Sequence, residues 1–206
     1  MTELQKIELA KIKIFSYVVG DIIKTIRGGA LMGAFVQCFC LIDYLAAIGR
    51  EANNDKISDN YEKFIENHLN YYDPKKLYAV RCGLIHTYGP SNRMKDADLD
   101  GYAFQHKNPR IHNKYYERIY YLNLSNFLFD IIKTTYDFFN KIEKVPERDL
   151  SEYCRRMEVV LVVFNPFGIV ANLNFGSIDP VLSCMDCENI NWSILENEIY
   201  KLCLTK

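Results

Sequence analysis

The chain has 206 residues and a formal net charge of −1, with 25 Lys and Arg against 26 Asp and Glu. That length indicates one domain, and 49% hydrophobic residues with only 10 Gly and 6 Pro exclude collagen-like, low-complexity and disordered proteins. The balanced charge excludes broad electrostatic attraction to nucleic acid or anionic lipid, so any such contact must come from a local basic patch. Aromatic residues are frequent at 14%, mostly as 15 Tyr and 12 Phe.

The N-terminal segment and the cysteines indicate a cytoplasmic protein. Residues 1–15 interleave charged and apolar side chains, whereas a signal peptide needs an unbroken apolar core. Apolar runs such as Val159 to Phe164 are too short to span a bilayer, so no membrane contact is predicted. Cys184 and Cys187 form a single CxxC without a second pair, which favours reduced structural thiols over zinc. The sequence has no metal-ligating motif and no glycine-rich phosphate loop, so we predict neither metal nor cofactor.

The first part of the chain predicts two long helices. Apolar residues at spacings of three and four predict a helix over 2–27, which Gly28 and Gly29 interrupt. The stretch 30–48 has hardly a polar face, which predicts a helix surrounded by protein. Its one charged residue, Asp43, must then be paired or lie at an opening in the core, because an unpaired buried carboxylate costs several kcal/mol.

Two shorter helices and a polar connection follow. Residues 58–69 predict one helix, and residues 75–87 predict another, with Asp73 as its N-cap and Pro74 at its first position. Residues 91–114 are rich in Asp, Asn and Lys and lack helical periodicity, which predicts a long loop.

Two aromatic segments around the second half of that loop predict strands. Residues 101–105 and 115–122 are expected to pair as a β-hairpin around Asn108 and Pro109. The helical pattern then returns, and it predicts helices over about 124–142, 147–163 and 192–204.

These elements predict a mainly α fold, an up-and-down helical bundle with a small β-hairpin insertion and a C-terminal extension. We expect a single domain over residues 1–206. Its parts are the core helices at about 2–89 and 123–164, the hairpin insertion at about 100–122 and the extension at about 165–206.

The segment from Leu77 to Gly89 contains Arg81 and, five positions later, His86, after a nearly all-apolar helix and before a glycine-containing turn. In this context the sequence resembles the HEPN superfamily of α-helical proteins, whose shared motif is Arg-x(4 to 6)-His, and within it a bacterial branch. The resemblance covers roughly residues 5 to 90. The family often has Asn, Asp or His directly after the arginine, where this chain has Cys82.

The resemblance implies a metal-independent endoribonuclease, or a non-catalytic RNA-binding or interaction module of a defence or toxin–antitoxin system. It also implies a homodimer, and a neighbouring antitoxin or nucleotidyltransferase as a partner. In an active protein His86 would act as acid or base on RNA, because imidazole titrates near neutral pH, and Arg81 would hold the scissile phosphate. Asp43, Cys82 and Tyr88 are the expected supporting residues.

Helix geometry adds an expectation about the homodimer. Positions five apart on an ideal helix point about 140° from each other, so Arg81 and His86 should not share a face of one chain. We therefore expect a dimer cleft that holds both copies of each residue. The alternative without chemistry is that Arg81 pairs with Asp43 and that His86 donates to carbonyls at the helix end.

A second candidate site lies in the polar loop and the following strand. Basic groups interleaved with tyrosines could contact phosphates and stack on unpaired bases, as single-stranded RNA binding requires. The alternative is a solvated loop and an exposed hairpin face. A small-molecule sensor with a site near Asp43 is a third hypothesis. The expected RNA-binding residues are Lys107, Arg110, Lys114, Arg118, Tyr115 and Tyr116.

Overall fold

A computed structural model describes residues 2–50, 56–160 and 190–205. The protein is mainly helical with a small three-stranded sheet, as predicted. Cys184, Cys187 and most of the predicted C-terminal extension lie outside the described residues. The elements in chain order are α1 (Glu3–Lys13), a π-helical segment (Ile14–Val19), α2 (Gly20–Arg27), α3 (Leu31–Gly49), α4 (Ile57–His68), α5 (Pro74–Thr87), α6 (Arg93–Asp96), β1 (Gly101–Gln105), β2 (Lys114–Tyr116), β3 (Ile119–Asn123), α7 (Leu124–Ile142), α8 (Glu147–Val160) and α9 (Trp192–Leu204).

Side-chain caps fix where several helices begin. Thr2 and Gln5 form a reciprocal capping box at the start of α1. The Asp73 carboxylate accepts from the Lys76 backbone N–H at 3.0 Å, and Pro74 occupies the first position of α5, as predicted. Asn123 ends β3 and caps α7 with the same side chain, so strand and helix follow each other without a loop.

The sheet differs from the predicted hairpin. β1 does not pair antiparallel around Asn108 and Pro109; it runs parallel to β3, and β2 forms the hairpin with β3. The strand order is therefore β1-β3-β2. The hairpin turn is Glu117–Arg118, where both residues have positive φ, of 47° and 61°, as a two-residue type I′ turn requires. The predicted loop also contains the short helix α6, which the sequence pattern did not indicate.

α3 is the central helix of the core. It contacts α2, α4, α5, α7 and α8, and its side chains Phe35 and Phe39 are almost completely buried. Phe35 stacks on Phe104 of β1 with ring centroids 4.1 Å apart, and both phenylalanines of α3 lie against Phe127 of α7. The sheet is thus packed onto the bundle through aromatic contacts.

One face of α3 is nevertheless not covered by the described part of the chain, in contrast to the predicted fully surrounded helix. Met32, Val36, Cys40, Asp43 and Ala47 are all partly or fully exposed, and their spacings of four, four, three and four place them on one stripe. We call this the α3 stripe. α3 is also long and apolar enough to cross a membrane by length and composition, although half of it is buried inside the protein. Its charge at Asp43 and its burial against five helices are typical of a core helix.

Candidate functional site

Asp43 on the α3 stripe and Arg81 on α5 form a bidentate ion pair. The Arg81 Nε donates to the two Asp43 carboxylate oxygens at 3.2 and 2.9 Å, and Nη2 donates to Oδ2 at 2.8 Å. The Arg81 and Asp43 side chains are 13% and 24% exposed, so the pair is largely removed from water. The prediction that Asp43 must be paired is confirmed, and a planar bidentate contact fixes the orientation of the guanidinium.

Arg81 also contacts His86, and the two residues lie together in one chain. The Arg81 Nη1 and the His86 Nε2 are 2.9 Å apart. The expectation that Arg81 and His86 do not share a face considered only the directions in which side chains leave the helix, and it missed that the two side chains meet within one chain. The long arginine stem carries the guanidinium across that gap to the exposed imidazole in the last turn of α5.

This contact assigns hydrogen-bonding roles to the two groups. A guanidinium only donates, so the Nε2 of His86 is the acceptor in this contact. The lone pair that a general base needs therefore lies on Nε2 and faces Arg81.

Burial and pairing shift the pKa values of both members of the ion pair upward. Burial raises the pKa of the Asp43 carboxyl, and the hydrogen bonds and charge of Arg81 offset part of that effect. Burial acts against the charge of Arg81, but the hydrogen bond and charge of Asp43 outweigh it and raise the pKa of the guanidinium. Arg81 is thus permanently charged, and Asp43 is the group whose proton could alter the pair.

The two remaining supporting residues differ in position. Cys82 is buried, with its Sγ 4.0 Å from the Arg81 Nη1. Tyr88 ends α5 in the left-handed conformation, with φ of 50°, and is 71% exposed. Tyr88 therefore lies at the rim of the site, one residue beyond the end of α5, and Cys82 lines its floor.

A buried tyrosine beside the site was not indicated by the sequence. Tyr61 on α4 is 1% exposed, and its hydroxyl has no hydrogen-bond partner among the described residues. Burial raises its pKa well above the ordinary value, and the negative charge of Asp43 adds to this. Tyr61 is therefore a neutral hydroxyl near the Asp43–Arg81 pair, and the regular apolar pattern of α4 gave no signal for it.

A tight turn after α5 positions His86. The Thr87 hydroxyl lies 2.9 Å from the Gly83 carbonyl and 3.0 Å from the Gly89 carbonyl, and Gly89 donates its backbone N–H to the Gly83 carbonyl at 3.3 Å. A Cβ on Gly83 would come within 2.5 Å of the Gly89 carbonyl oxygen. Only glycine permits this close return of the chain, so the turn is part of the site.

The predicted RNA-binding residues separate into two groups. Arg118 pairs with Asp98 and Asp100, and the Tyr115 hydroxyl donates to Asp98 while the Lys76 ammonium lies 5.0 Å from its ring centre. Arg118 and Tyr115 are therefore occupied by contacts within the protein.

The other group is free. Lys107, Arg110 and Lys114 are exposed and have no ion pair within the described ranges, and Tyr116 is 64% exposed. Lys114, Tyr116 and the partner-strand residue Tyr121 project from the outer face of the sheet, because residues two apart and cross-strand partners share a face. The sheet thus presents cations and aromatic rings to solvent.

His112, in the same basic stretch, is not in a solvated loop. Its Nε2 lies 2.7 Å from the Tyr72 hydroxyl and 3.2 Å from the Asp130 carboxylate, and its Nδ1 accepts from the Asn123 backbone N–H. Tyr72 in turn donates to Asp130 at 2.7 Å. This buried cluster ties the strand-containing segment to α7.

A cavity of about 290 Å³ lies between α4 and α7. It is lined by polar residues that include His68, Asn140 and Lys141, and Asp43 is not among them. The cavity therefore gives no support to a small-molecule site near Asp43.

Comparison of this chain with protein-family models, with curated proteins and with solved structures finds no match to any of them. Within residues 2–50, 56–160 and 190–205, no group of three or more His, Cys, Asp or Glu side chains is placed to hold a metal ion. The functional interpretation therefore depends on the geometry of the Asp43–Arg81–His86 site and on the resemblance of its motif.

Proposed function

We propose that this protein is a HEPN-like endoribonuclease that acts as a homodimer and cleaves RNA without a metal ion. The observation that supports this most is the 2.9 Å contact between Arg81 and His86, with Asp43 holding the other side of the guanidinium. A fixed cation beside an imidazole that is open to solvent is the pair of groups that phosphodiester cleavage through the ribose 2′-hydroxyl requires.

In this proposal each group has its own step. Asp43 occupies Nε and Nη2 of Arg81, so Nη1 is the nitrogen that a phosphate oxygen would take. A phosphate oxygen that binds Nη1 would displace the His86 imidazole from it, and the Nε2 lone pair of His86 is then free to remove the proton of the 2′-hydroxyl. The 2′-oxygen then bonds to phosphorus and the bond to the 5′-oxygen breaks, which leaves a 2′,3′-cyclic phosphate and a 5′-hydroxyl. The leaving 5′-oxygen takes up the proton that His86 removed from the 2′-hydroxyl, which returns the imidazole to its starting state.

The α3 stripe supports the homodimer. It exposes Met32, Val36 and Cys40 on the same face as Asp43, so apolar surface continues up to the site. Although Cys40 is exposed, partial desolvation by the surrounding protein and then the charge of Asp43 raise the pKa of its thiol, so the thiol is neutral and compatible with an apolar contact. A second copy on this side would cover the stripe and place two sites in one cleft.

The alternative is a non-catalytic RNA-binding or interaction module of a defence or toxin–antitoxin system. The full pairing of Arg81 by Asp43 favours it, together with Cys82 at the position where the family often has a polar residue. An antitoxin or a nucleotidyltransferase would then be the partner.

Cleavage of RNA by the purified chain in the presence of EDTA tests the proposal. We expect products with cyclic phosphate ends, and a loss of about 100-fold or more in rate in both Arg81→Ala and His86→Ala. Arg93→Ala is the matched control, since Arg93 is an exposed arginine that pairs with Asp96, and it should cleave normally. Cleavage that persists in either site variant contradicts the assignment. No cleavage by the unmodified protein, with RNA or partner binding retained, favours the alternative.

A further inference from the structure

The two edges of the small sheet differ in a way that bears on self-association. β2, at one edge, has three residues, all exposed, and includes Lys114. β1, at the other edge, has five half-buried residues and contains neither a charged residue nor proline. Short strands, lysine and proline are the usual means by which an exposed edge avoids pairing with another strand. β1 has none of these protections.

The register identifies which backbone groups lie free along β1. Tyr116 and Ile119 flank the two-residue turn and face each other, so the odd-numbered residues of β3 bond to β2 and the even-numbered residues bond to β1. In β1 the partners are Gly101, Ala103 and Gln105, in agreement with the bond from the Gly101 N–H to the Arg118 carbonyl. The N–H and C=O groups of Tyr102 and Phe104 therefore point outward. No hydrogen bond from the described part of the chain reaches them.

We infer that a second copy of this chain pairs its own β1 with this edge, antiparallel and centred on Ala103, to form a continuous six-stranded sheet. The inference rests on the proposed homodimer and names the β1 edge as its interface, so a dimer held by the α3 stripe without β1 pairing would contradict it. A two-fold axis through Ala103 places Tyr102 opposite Phe104 of the partner subunit, and Phe104 opposite Tyr102 of the partner subunit. Tyr102 and Phe104 are the residues whose backbone N–H and C=O groups point outward. The two β1 strands together therefore offer four donors and four acceptors, which form four hydrogen bonds in this register.

This axis brings the two candidate sites close to the shared sheet. The Tyr102 hydroxyl donates to the Gly89 carbonyl at 3.5 Å, and the Tyr102 ring lies against Gly83. β1 is thus anchored to the turn that holds His86. Pairing of the two β1 strands would fix the C-terminal ends of both α5 helices on the same assembly.

A pair of single cysteine substitutions tests the register. Ala103 faces its own copy across the axis at a non-hydrogen-bonded position, where Cα atoms are about 4.5 Å apart, within the range of a disulfide. Gln105, on the same face and the same strand, would lie about 14 Å from its own copy, too far for a bond. Under copper-phenanthroline oxidation, the full chain carrying Ala103→Cys should form a covalent dimer at least tenfold faster than the chain carrying Gln105→Cys. The unmodified chain gives the background rate of crosslinking through the native thiols.

Equal crosslinking of the two variants, or none with Ala103→Cys, overturns the inference. Sedimentation at micromolar concentration separates this failure from that of the proposed function. A dimer that does not crosslink at position 103 removes only the β1 interface, whereas a monomer removes the homodimer as well. RNA cleavage is measured independently, so crosslinking without cleavage supports the interface and contradicts the ribonuclease.

Discussion

The orientation of one guanidinium determines what the candidate site can do. Arg81 has three nitrogens, of which Asp43 takes two and His86 faces the third. A carboxylate in this position keeps the charged fork from turning away into solvent, at the cost of its own desolvation. Asp43 is therefore a positioning residue, since it acts on a substrate only through Arg81.

Replacement of Asp43 by Asn tests this role. Asp43→Asn keeps the shape but leaves the largely buried Arg81 without a counter-charge, so we expect about 2 to 3 kcal/mol less stability in urea denaturation. Cleavage should fall as well, because the guanidinium loses its fixed direction. The control is Asp21→Asn, which removes the partner of Lys24 from a pair that is more than half exposed, and should leave both readouts unchanged. Equal effects of the two changes would show that the Asp43–Arg81 pair has no special role.

The sequence offered Arg81 as the partner of Asp43, whereas the contact between Arg81 and His86 was not predicted. An isolated carboxylate in an apolar helix must find a partner, so the environment of Asp43 followed from its sequence neighbours alone. The contact of Arg81 with His86 depends on how a long side chain bends over one helical turn, which helix periodicity does not describe. Tertiary packing leaves the Tyr61 hydroxyl without a hydrogen-bond partner among the described residues, and no local sequence pattern predicts such packing.

At the scale of elements, the end of α5 holds the site together. Gly83 lies in the middle of that helix's last turns, and the chain returns over it through Gly89 while Tyr102 of β1 packs on the same spot. Three elements thus meet at a residue without a side chain. The position of His86, three residues later, depends on that approach.

A single methyl group at Gly83 should disturb this junction. Its Cβ would lie 2.5 Å from a backbone oxygen and 3.0 Å from the Tyr102 ring, so Gly83→Ala should destabilise the protein by about 1 to 3 kcal/mol and reduce RNA cleavage. Gly20→Ala is the matched control, because Gly20 is also helical and its Cβ would meet nothing closer than 3.9 Å. That change should stabilise by about 0.5 to 1 kcal/mol through helix propensity. Thermal unfolding of both variants gives the comparison, and a neutral Gly83→Ala would contradict the close approach of the turn to α5.

The elements themselves were largely predictable, and their pairing was not. The limits of α5 agree with the Asp73 cap and the stop at Gly89, because capping and turn chemistry act within a few residues. The sheet was predicted with the wrong partner, since the segment between β1 and β3 offers Asn108 and Pro109 as a plausible turn. The true turn, Glu117–Arg118, lacks glycine and asparagine, the residues that usually mark a type I′ hairpin.

Across the whole molecule, the net charge is near zero but the charges are unevenly distributed over the surface. Several lysine and arginine residues on the helices face a carboxylate three or four positions away, as in Lys24 with Asp21 and Lys201 with Glu198. Lys107, Arg110 and Lys114 have no such partner among the described residues. Any attraction for RNA must arise from this local excess, which Tyr116 and Tyr121 extend with aromatic rings.

Charge reversal distinguishes this surface from the rest of the molecule. The double variant Lys107→Glu with Lys114→Glu should weaken binding of a labelled single-stranded RNA and lower the slope of log affinity against log salt by about 1.4, since each lost phosphate contact accounts for about 0.7. The control, Lys24→Glu with Lys201→Glu, makes the same change in net charge at paired lysines on α2 and α9 and should shift binding much less. Fluorescence anisotropy across a salt series measures both. An equal loss of RNA affinity in the two variants would mean that binding depends only on the net charge of the protein. The aromatic and basic sheet face would then have no part in binding.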